Sequence, residues 1–574
     1  MAPAFAGSQA PALRSRVSGP TLLLIGAALL VGYLTVFPLI FLVYGSFLTP
    51  IVGGQGGTFT LDNFVKAYAD RSTVPILLNS IAFSAGTTAV AFVIGTVLAW
   101  ITERTNAPLR RLFFAMSLIP LIIPGILFTV SWIFLLSPRI GLINLWLQDL
   151  LGLPAAPFNV YSLPGMIWVE GLHWSPIVYL LMSAAFRSMD PALEESALMS
   201  GAGLGATFYH VTLKLNLPMI LSVFLLLFLR GLETFEVPAI IGLPAGIQVF
   251  TSKIFMAIKG YPSDFGLAGA YSTVLLVLTS LGIYLYARVT REAARFATVT
   301  GKGFRPRVID LGPWRYAAAA VIVAYLVVMV MLPVFVLLWN SLLPFYLKPS
   351  VQALSRLTLE NYPFVFKLPK TTRAITNSVA LSVASATIIM LLTSVVAWIV
   401  VRTRIRGRWL LDNLASMPLI FPSVVMGVAL IWVYLTLPIP IYGTIWILLV
   451  AYVTRFLPYG LRACSSGLVQ IHRELEEAAE ISGASWRRSF TSIVLPLLRP
   501  AMVAGWMYIV IVSVRELGSS IFLWGPGAEV LSVIIFDFWQ TGHFQELCAL
   551  GIMLVLALVV LALFSQRLSQ RFVA

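Results

Sequence analysis

Apolar runs long enough to cross a bilayer recur along the whole chain, and no other feature of the sequence restricts its fold as much. About twelve can be marked off, since each reaches the roughly 20 residues that a helix needs to traverse the hydrocarbon core. They lie at 21–47, 76–102, 112–136, 165–186, 216–240 and 266–287, then at 316–341, 374–400, 410–436, 441–466, 499–522 and 546–566. In lipid every backbone N–H and C=O must find its partner within the protein, which leaves helices or a closed barrel. The short alternating strands of a barrel are missing from the sequence. Charged residues make up 11% of the chain, against about 25% in a soluble domain. The expected fold is therefore all-α, a polytopic membrane protein of about twelve helices.

The formal net charge of +15 would suit nucleic acid if it were gathered on one face, but it is not. With the N-terminus placed in the cytoplasm, most of the lysines and arginines fall in inner loops and few in outer ones. That bias is a topology signal and an attraction to anionic inner-leaflet lipid, and it puts both termini inside. Arg14 and Arg16 precede a first apolar run too long for the core of a signal peptide, so the run is read as a retained span. Cys464 and Cys548 sit in apolar runs and suggest neither a disulfide framework nor a metal site.

The two halves of the chain repeat each other. Leu61-Asp62-Asn63 returns as Leu359-Glu360-Asn361, at an offset of 298 (361 − 63). The same offset relates Asn79-Ser80 to Asn377-Ser378, Trp100 to Trp398, Arg104-Thr105 to Arg402-Thr403, and Pro120 and Pro124 to Pro418 and Pro422. An even number of spans between copies makes them parallel repeats about an axis along the membrane normal. The organisation read from this is a cytoplasmic tail over 1–20, a first unit over 21–287, a basic cytoplasmic linker over 288–315 and a second unit over 316–574. Further along the offset drops to 282, which leaves 16 extra residues (298 − 282) in the first unit. They are expected to form an interfacial or outer-face helix around Ile143–Gln148, at about 137–164. Gly301-Lys302-Gly303 in the linker lacks the rest of a phosphate-binding loop.

Between two apolar runs lies a polar insert, Leu475 to Pro500, and Leu193 to Pro218 is its partner copy at the offset of 282 (477 − 195). Asp190 is placed to cap the first copy, with Pro191 in the first turn and Glu194 and Glu195 at the positive helix end. Gly201 and Gly483 supply the φ > 0 needed to turn into a second short helix. Arg487 and Arg488 give the second copy a basic face absent from the first. One such segment could lie on lipid headgroups; two in register imply two docked partners.

The spacing E-A-A, three residues, G, nine residues, I-x-L-P is met by Glu477, Ala478, Ala479, Gly483, Ile493, Leu495 and Pro496. It resembles the cytoplasmic loop signature of binding-protein-dependent ABC importer permeases, here as two permease units fused in one chain. The first copy departs from it, with Ser196, Val211 and Lys214 at the first alanine, the isoleucine and the proline. With the L-x-N outer loops and Glu233–Ile240, the pattern looks most like ferric-iron-type permeases, with thiamine, phosphonate and polyamine permeases as near relatives. The resemblance implies a coupling role for Glu194, Glu195, Ala197, Gly201, Glu476, Glu477, Ala478, Ala479 and Gly483. It implies two cytoplasmic ATPase subunits that carry ATP and Mg, a periplasmic solute-binding protein that sets most of the selectivity, and a bacterial inner-membrane location.

The chain itself offers no G-x-x-x-x-G-K-[ST], no H-E-x-x-H and no local nucleophile–base pair, so it is read as a transport subunit, with no cofactor and no metal site of its own. Ionisable groups inside spans mark a path: Arg230, Glu233 and Glu236 in the fifth run, Arg515 and Glu516 in the eleventh. The offset of 282 sets Glu233 opposite Arg515, which are expected to form a gate pair or to sit in its charged shell. The alternative is that each pairs within its own half. An ion-coupled secondary transporter would also show twelve spans and duplicated halves, but would need no docking loops.

Overall fold

Coiling satisfies the backbone of an apolar chain locally, and the structure is built from helices. It is a computed structural model that describes residues 19–49, 57–117, 119–188, 191–293 and 308–573. Among these there is no strand, only the isolated bridges Leu48–Phe59 and Thr105–Ile309. The N-terminal tail, Asp190 and the linker glycines lie outside the described residues.

The first half contains α1 (Gly19–Thr35), α2 (Phe37–Ser46), α3 (Thr73–Arg104), α4 (Gly125–Leu136), α5 (Leu142–Leu151), α6 (Leu163–Ser188), α7 (Pro191–Met199), α8 (Leu217–Glu233), α9 (Phe250–Lys259) and α10 (Phe265–Ala293). The second contains α11 (Trp314–Leu326), α12 (Leu332–Ser341), α13 (Pro369–Arg402), α14 (Ser423–Thr436), α15 (Ile445–Gln470), α16 (Glu474–Ile481), α17 (Leu495–Val514), α18 (Leu531–Thr541) and α19 (Phe544–Val573).

By length and composition, 8 helices among the described residues could cross a membrane, or up to 11 if each sharply bent pair is one span. The remaining expected span is α6, whose Glu170, His173 and Arg187 dilute its apolar character. It matches α15: both have 26 residues and run unbroken through Pro176 and Pro458 respectively.

Four expected spans are not straight helices. The runs 112–136 and 410–436 break after residues 121 and 419 and bend by 98° and 108°. Pro124 and Pro422, at ψ 136 and 140, take extended backbone where a helix would need ψ near −40°. The runs 216–240 and 499–522 end as α-helices at Glu233 and Val514, and Pro238–Gly242 form a π-helical turn. Apolar composition set the length of these runs, but Pro124 and Pro422 decided the shape of the first two.

In each half the third and sixth helices, or their counterparts, form the spine: α3 packs on α6, and α13 on α15. The opening spans are exchanged. α2 lies against α10 of its own half and α14 of the other, and α12 lies against α19 of its own half and α4 of the other. The Tyr33 and Tyr434 hydroxyls meet at 3.0 Å, and those of Ser175 and Tyr325 at 2.9 Å. Gly45 lets α2 approach α14 closely, because a Cβ there would land on the Trp432 ring.

The repeated asparagines fasten the outer loops. Asn63 Nδ2 donates to the carbonyls of Ser46 (3.0 Å) and Leu48 (2.8 Å); Asn361 Nδ2 does the same to Ser341 (2.9 Å) and Leu343 (2.8 Å). The 16-residue excess contains α5, as expected for that stretch. Buried Asn144 holds its base through Nδ2 bonds to the carbonyls of Leu136, Ser137 and Phe158.

Candidate functional site

Two regions gather the singled-out residues: the short helices α7 and α16 with the turns after them, and the seam between the halves.

α7 and α16 are built alike. Gly201 (φ +85) and Gly483 (φ +81) end them in the left-handed conformation. Across the turn, Ala202 N donates to Ala197 O (3.0 Å) and Ala484 N to Ala479 O (2.9 Å), which satisfies a helix-end carbonyl. The adjacent glutamates of each copy part company. Glu194 and Glu476 are buried, at 7% and 8% exposure, whereas Glu195 and Glu477 are exposed. Glu194 Oε2 lies 3.4 Å from Arg104 Nη1, and its Oε1 accepts from Thr212 Oγ1 at 2.7 Å. Glu476 Oε1 lies 2.9 Å from Arg402 Nε, and its Oε2 accepts from Trp398 Nε1 at 2.9 Å. Glu477 pairs on the surface with Arg473 at 3.0 Å. Ala478 is exposed; Ala197 and Ala479 are half-buried.

Both copies also expose apolar side chains at matched positions. Met199 and Ile481 are 90% and 89% exposed, and Leu193 and Leu475 are 44% and 47% exposed. Such side chains on a short polar helix suit a protein partner, because the cost of leaving them in water is removed on contact.

At the seam the charged residues collect, but the expected pair does not form. Arg230 Nη1 bonds Glu233 Oε2 at 3.0 Å within the first half, and Arg455 Nε bonds Glu516 Oε2 at 3.1 Å within the second. Arg515 donates instead to the Leu121 carbonyl of the opposite half. Glu233 and Arg515 are thus not a gate pair. A salt bridge three residues away along α8 satisfies Glu233 more cheaply than a partner across the seam.

Sequence reasoning missed Glu170, which accepts from Trp174 Nε1 and Thr234 Oγ1, both at 2.7 Å. It is an acid inside a span, the signal that had singled out Glu233. Glu236 sits against Gly125 at the start of α4, where a Cβ would collide with its carboxylate. In the second half the relation is reversed: Ser423 fills the space at Gly518. His173 packs its ring on Phe128, 5.3 Å between centroids.

Four phenylalanines close the seam beside these charges. Phe235 and Phe255 of the first half meet Phe522 and Phe536 of the second, with cross-half ring centroids 5.9 to 6.2 Å apart. All four are buried. Among 36 phenylalanines nothing in the sequence distinguishes them. Among the described residues, no three or more His, Cys, Asp or Glu side chains are grouped as metal ligands.

The family described as "Binding-protein-dependent transport system inner membrane component" matches the chain twice, over residues 91–292 and 389–574. The ferric transport system permease protein FbpB of Actinobacillus pleuropneumoniae is 26% identical over 549 residues, covering 94% of this chain and 77% of that protein. The spermidine/putrescine transport system permease protein PotC of Haemophilus influenzae is 29% identical over 210 residues, 37% of this chain and 81% of that protein. A solved bacterial alginate ABC transporter in complex with an alginate pentasaccharide-bound periplasmic protein has a chain 18% identical, with a TM-score of 0.37 over 45% of this chain and 94% of that one.

Proposed function

Because the chain belongs to the family of binding-protein-dependent transport system inner membrane components, we propose that it is the permease of an ATP-driven importer that moves ferric iron from a periplasmic binding protein to the cytoplasm by alternating access. The observation that carries this reading is the pair of matched helices α7 and α16, each stapled by a buried ion pair and each exposing apolar residues. Two cytoplasmic ATPase subunits would seat there. Met199, Leu193, Glu195 and Ala197 would meet one; Ile481, Leu475, Glu477, Ala478 and Ala479 would meet the other. Gly201 and Gly483 set the angle of each helix. ATP and Mg belong to those subunits, and hydrolysis is theirs.

The solute would cross at the seam, with the phenylalanine cluster as the barrier and Arg230, Glu233, Glu236, Arg455, Arg515 and Glu516 as the charged shell beside it. A mixed shell suits a cation that travels with its chelating anions. The ferric reading is supported by the reach of the resemblance: the FbpB relative aligns along both halves, whereas PotC aligns with a segment of 210 residues. The basic inner loops support cytoplasmic termini.

The test is reconstitution in liposomes with its ATPase and periplasmic binding protein. Uptake of radioactive ferric iron that needs both ATP and the binding protein is expected. Uptake of spermidine in its place would replace the cargo, and uptake driven by an ion gradient without ATPase would sink the reading.

A further inference from the structure

The two longest helices of the spine join the coupling helices to the gate. α3 and α13 have 32 and 34 residues and both end on an arginine, Arg104 and Arg402. These are the arginines that hold Glu194 and Glu476. They lie 298 positions apart and the glutamates 282, so the same pairing stands on both sides of the insertion that shifts the repeat. Arg402 also donates Nη2 to the carbonyls of Leu468 (2.9 Å) and Ile471 (2.6 Å) at the end of α15. A planar guanidinium fork held this way resists bending at the joint.

The opposite ends of α3 and α13 grip the loops that lead into α9 and α18. Ser80 Oγ accepts from Phe250 N at 3.0 Å, and Asn79 Nδ2 donates to Gln248 O at 3.2 Å. Ser378 Oγ accepts from Leu531 N at 2.8 Å, and Asn377 Nδ2 donates to the carbonyls of Gly527 (3.0 Å) and Glu529 (2.9 Å). α9 carries Phe255 and α18 carries Phe536, one gate phenylalanine from each half. At about 1.5 Å per residue, the 24 residues from Ser80 to Arg104 and from Ser378 to Arg402 set the two fastenings of each spine helix roughly 36 Å apart.

The geometry points to α3 and α13 as push rods. The buried pairs Arg104–Glu194 and Arg402–Glu476 are the joints that pass displacement of α7 and α16 into the rods, and the Asn-Ser pairs deliver it to the phenylalanine gate. Arg104 and Arg402 are positioning residues, the first buried and the second largely covered, and neither is placed on the docking surface or against the solute. The inference rests on the reading of α7 and α16 as ATPase-docking helices.

It is tested on the full chain in complex with its ATPase by spin-label distance measurements, with and without ATP and vanadate. Labels on Ser200 and Glu474 report the coupling helices; labels on Tyr261 and Thr541 report the gate. In the parent complex both distances shift. In Arg402→Gln the coupling helices still shift, the gate shift is lost, and uptake per ATP falls about five- to a hundredfold, the range of a lost coupling. Ser378→Ala, at the far end of the rod, gives the same split in milder form without touching the ion pair. A gate shift that survives both substitutions overturns the proposal. So does release of the ATPase or loss of the coupling-helix shift in Arg402→Gln, since the arginine would then serve docking. Absence of the ATPase from the parent complex instead sinks the docking reading.

Discussion

Gly483 and Gly201 show how much one backbone angle decides. At φ +81 and +85 a β-branched residue is strained, by roughly 1–2 kcal/mol. Gly483→Val is therefore expected to re-aim α16 and reduce the ATPase that co-purifies with the chain, while Gly483→Asn, which tolerates this region, retains most of it. Gly45 works through space instead. Gly45→Leu is expected to drive α2 off Trp432 and lower the melting temperature of the detergent-solubilised protein, whereas alanine at the open Gly26 leaves it unchanged. Phe255→Ala together with Phe536→Ala should leave a passage at the seam, measured as leak of a small solute from proteoliposomes without ATP; a tight vesicle would remove these rings from the barrier. The two glycines were legible in the sequence because few residues tolerate that conformation. The division of labour between Glu194 and Glu195 was not. It depends on which side of α7 faces Arg104, and only packing sets that phase.

Elements carry the docking. α7 and α16 are too short to be stable in isolation, so they depend on the body of the protein around them, and their affinity comes from what they expose. Met199→Glu or Ile481→Glu keeps the helix but places a charge where a partner would bury it. Each is expected to weaken ATPase retention at least about tenfold, in line with a charge left unpaired in an interface. Retention equal to the parent chain would argue against these faces as docking surfaces. The copies and their register could be read from the sequence, as could the helix in the 16-residue excess. The breaks in the runs 112–136 and 410–436 could not. A length of apolar residues has the same composition whether it crosses straight or folds back at a proline, and the bends of 98° and 108° arise where α4 and α14 must turn to meet the opening span of the other half.

At the scale of the molecule, the exchanged spans bind the halves to each other through packing. α2 on α14 and α12 on α4 interlock two units that the sequence presents as consecutive. Residues 1–300 and 301–574 produced as two separate chains in one cell are expected to co-purify and to restore uptake; either alone should be degraded. Failure to associate would make the covalent tether essential. The repeat was visible in Asn63 and Asn361 or Pro124 and Pro422, but the exchange was not, because offsets along a chain say which parts are equivalent and not which copy each one touches.

Synthesis proceeds from the N-terminus, so α4 enters the bilayer long before α12 exists to cover it. One flank of the early half stays open to lipid until the later half arrives. A ribosome that pauses within the linker therefore leaves behind an unfinished wall.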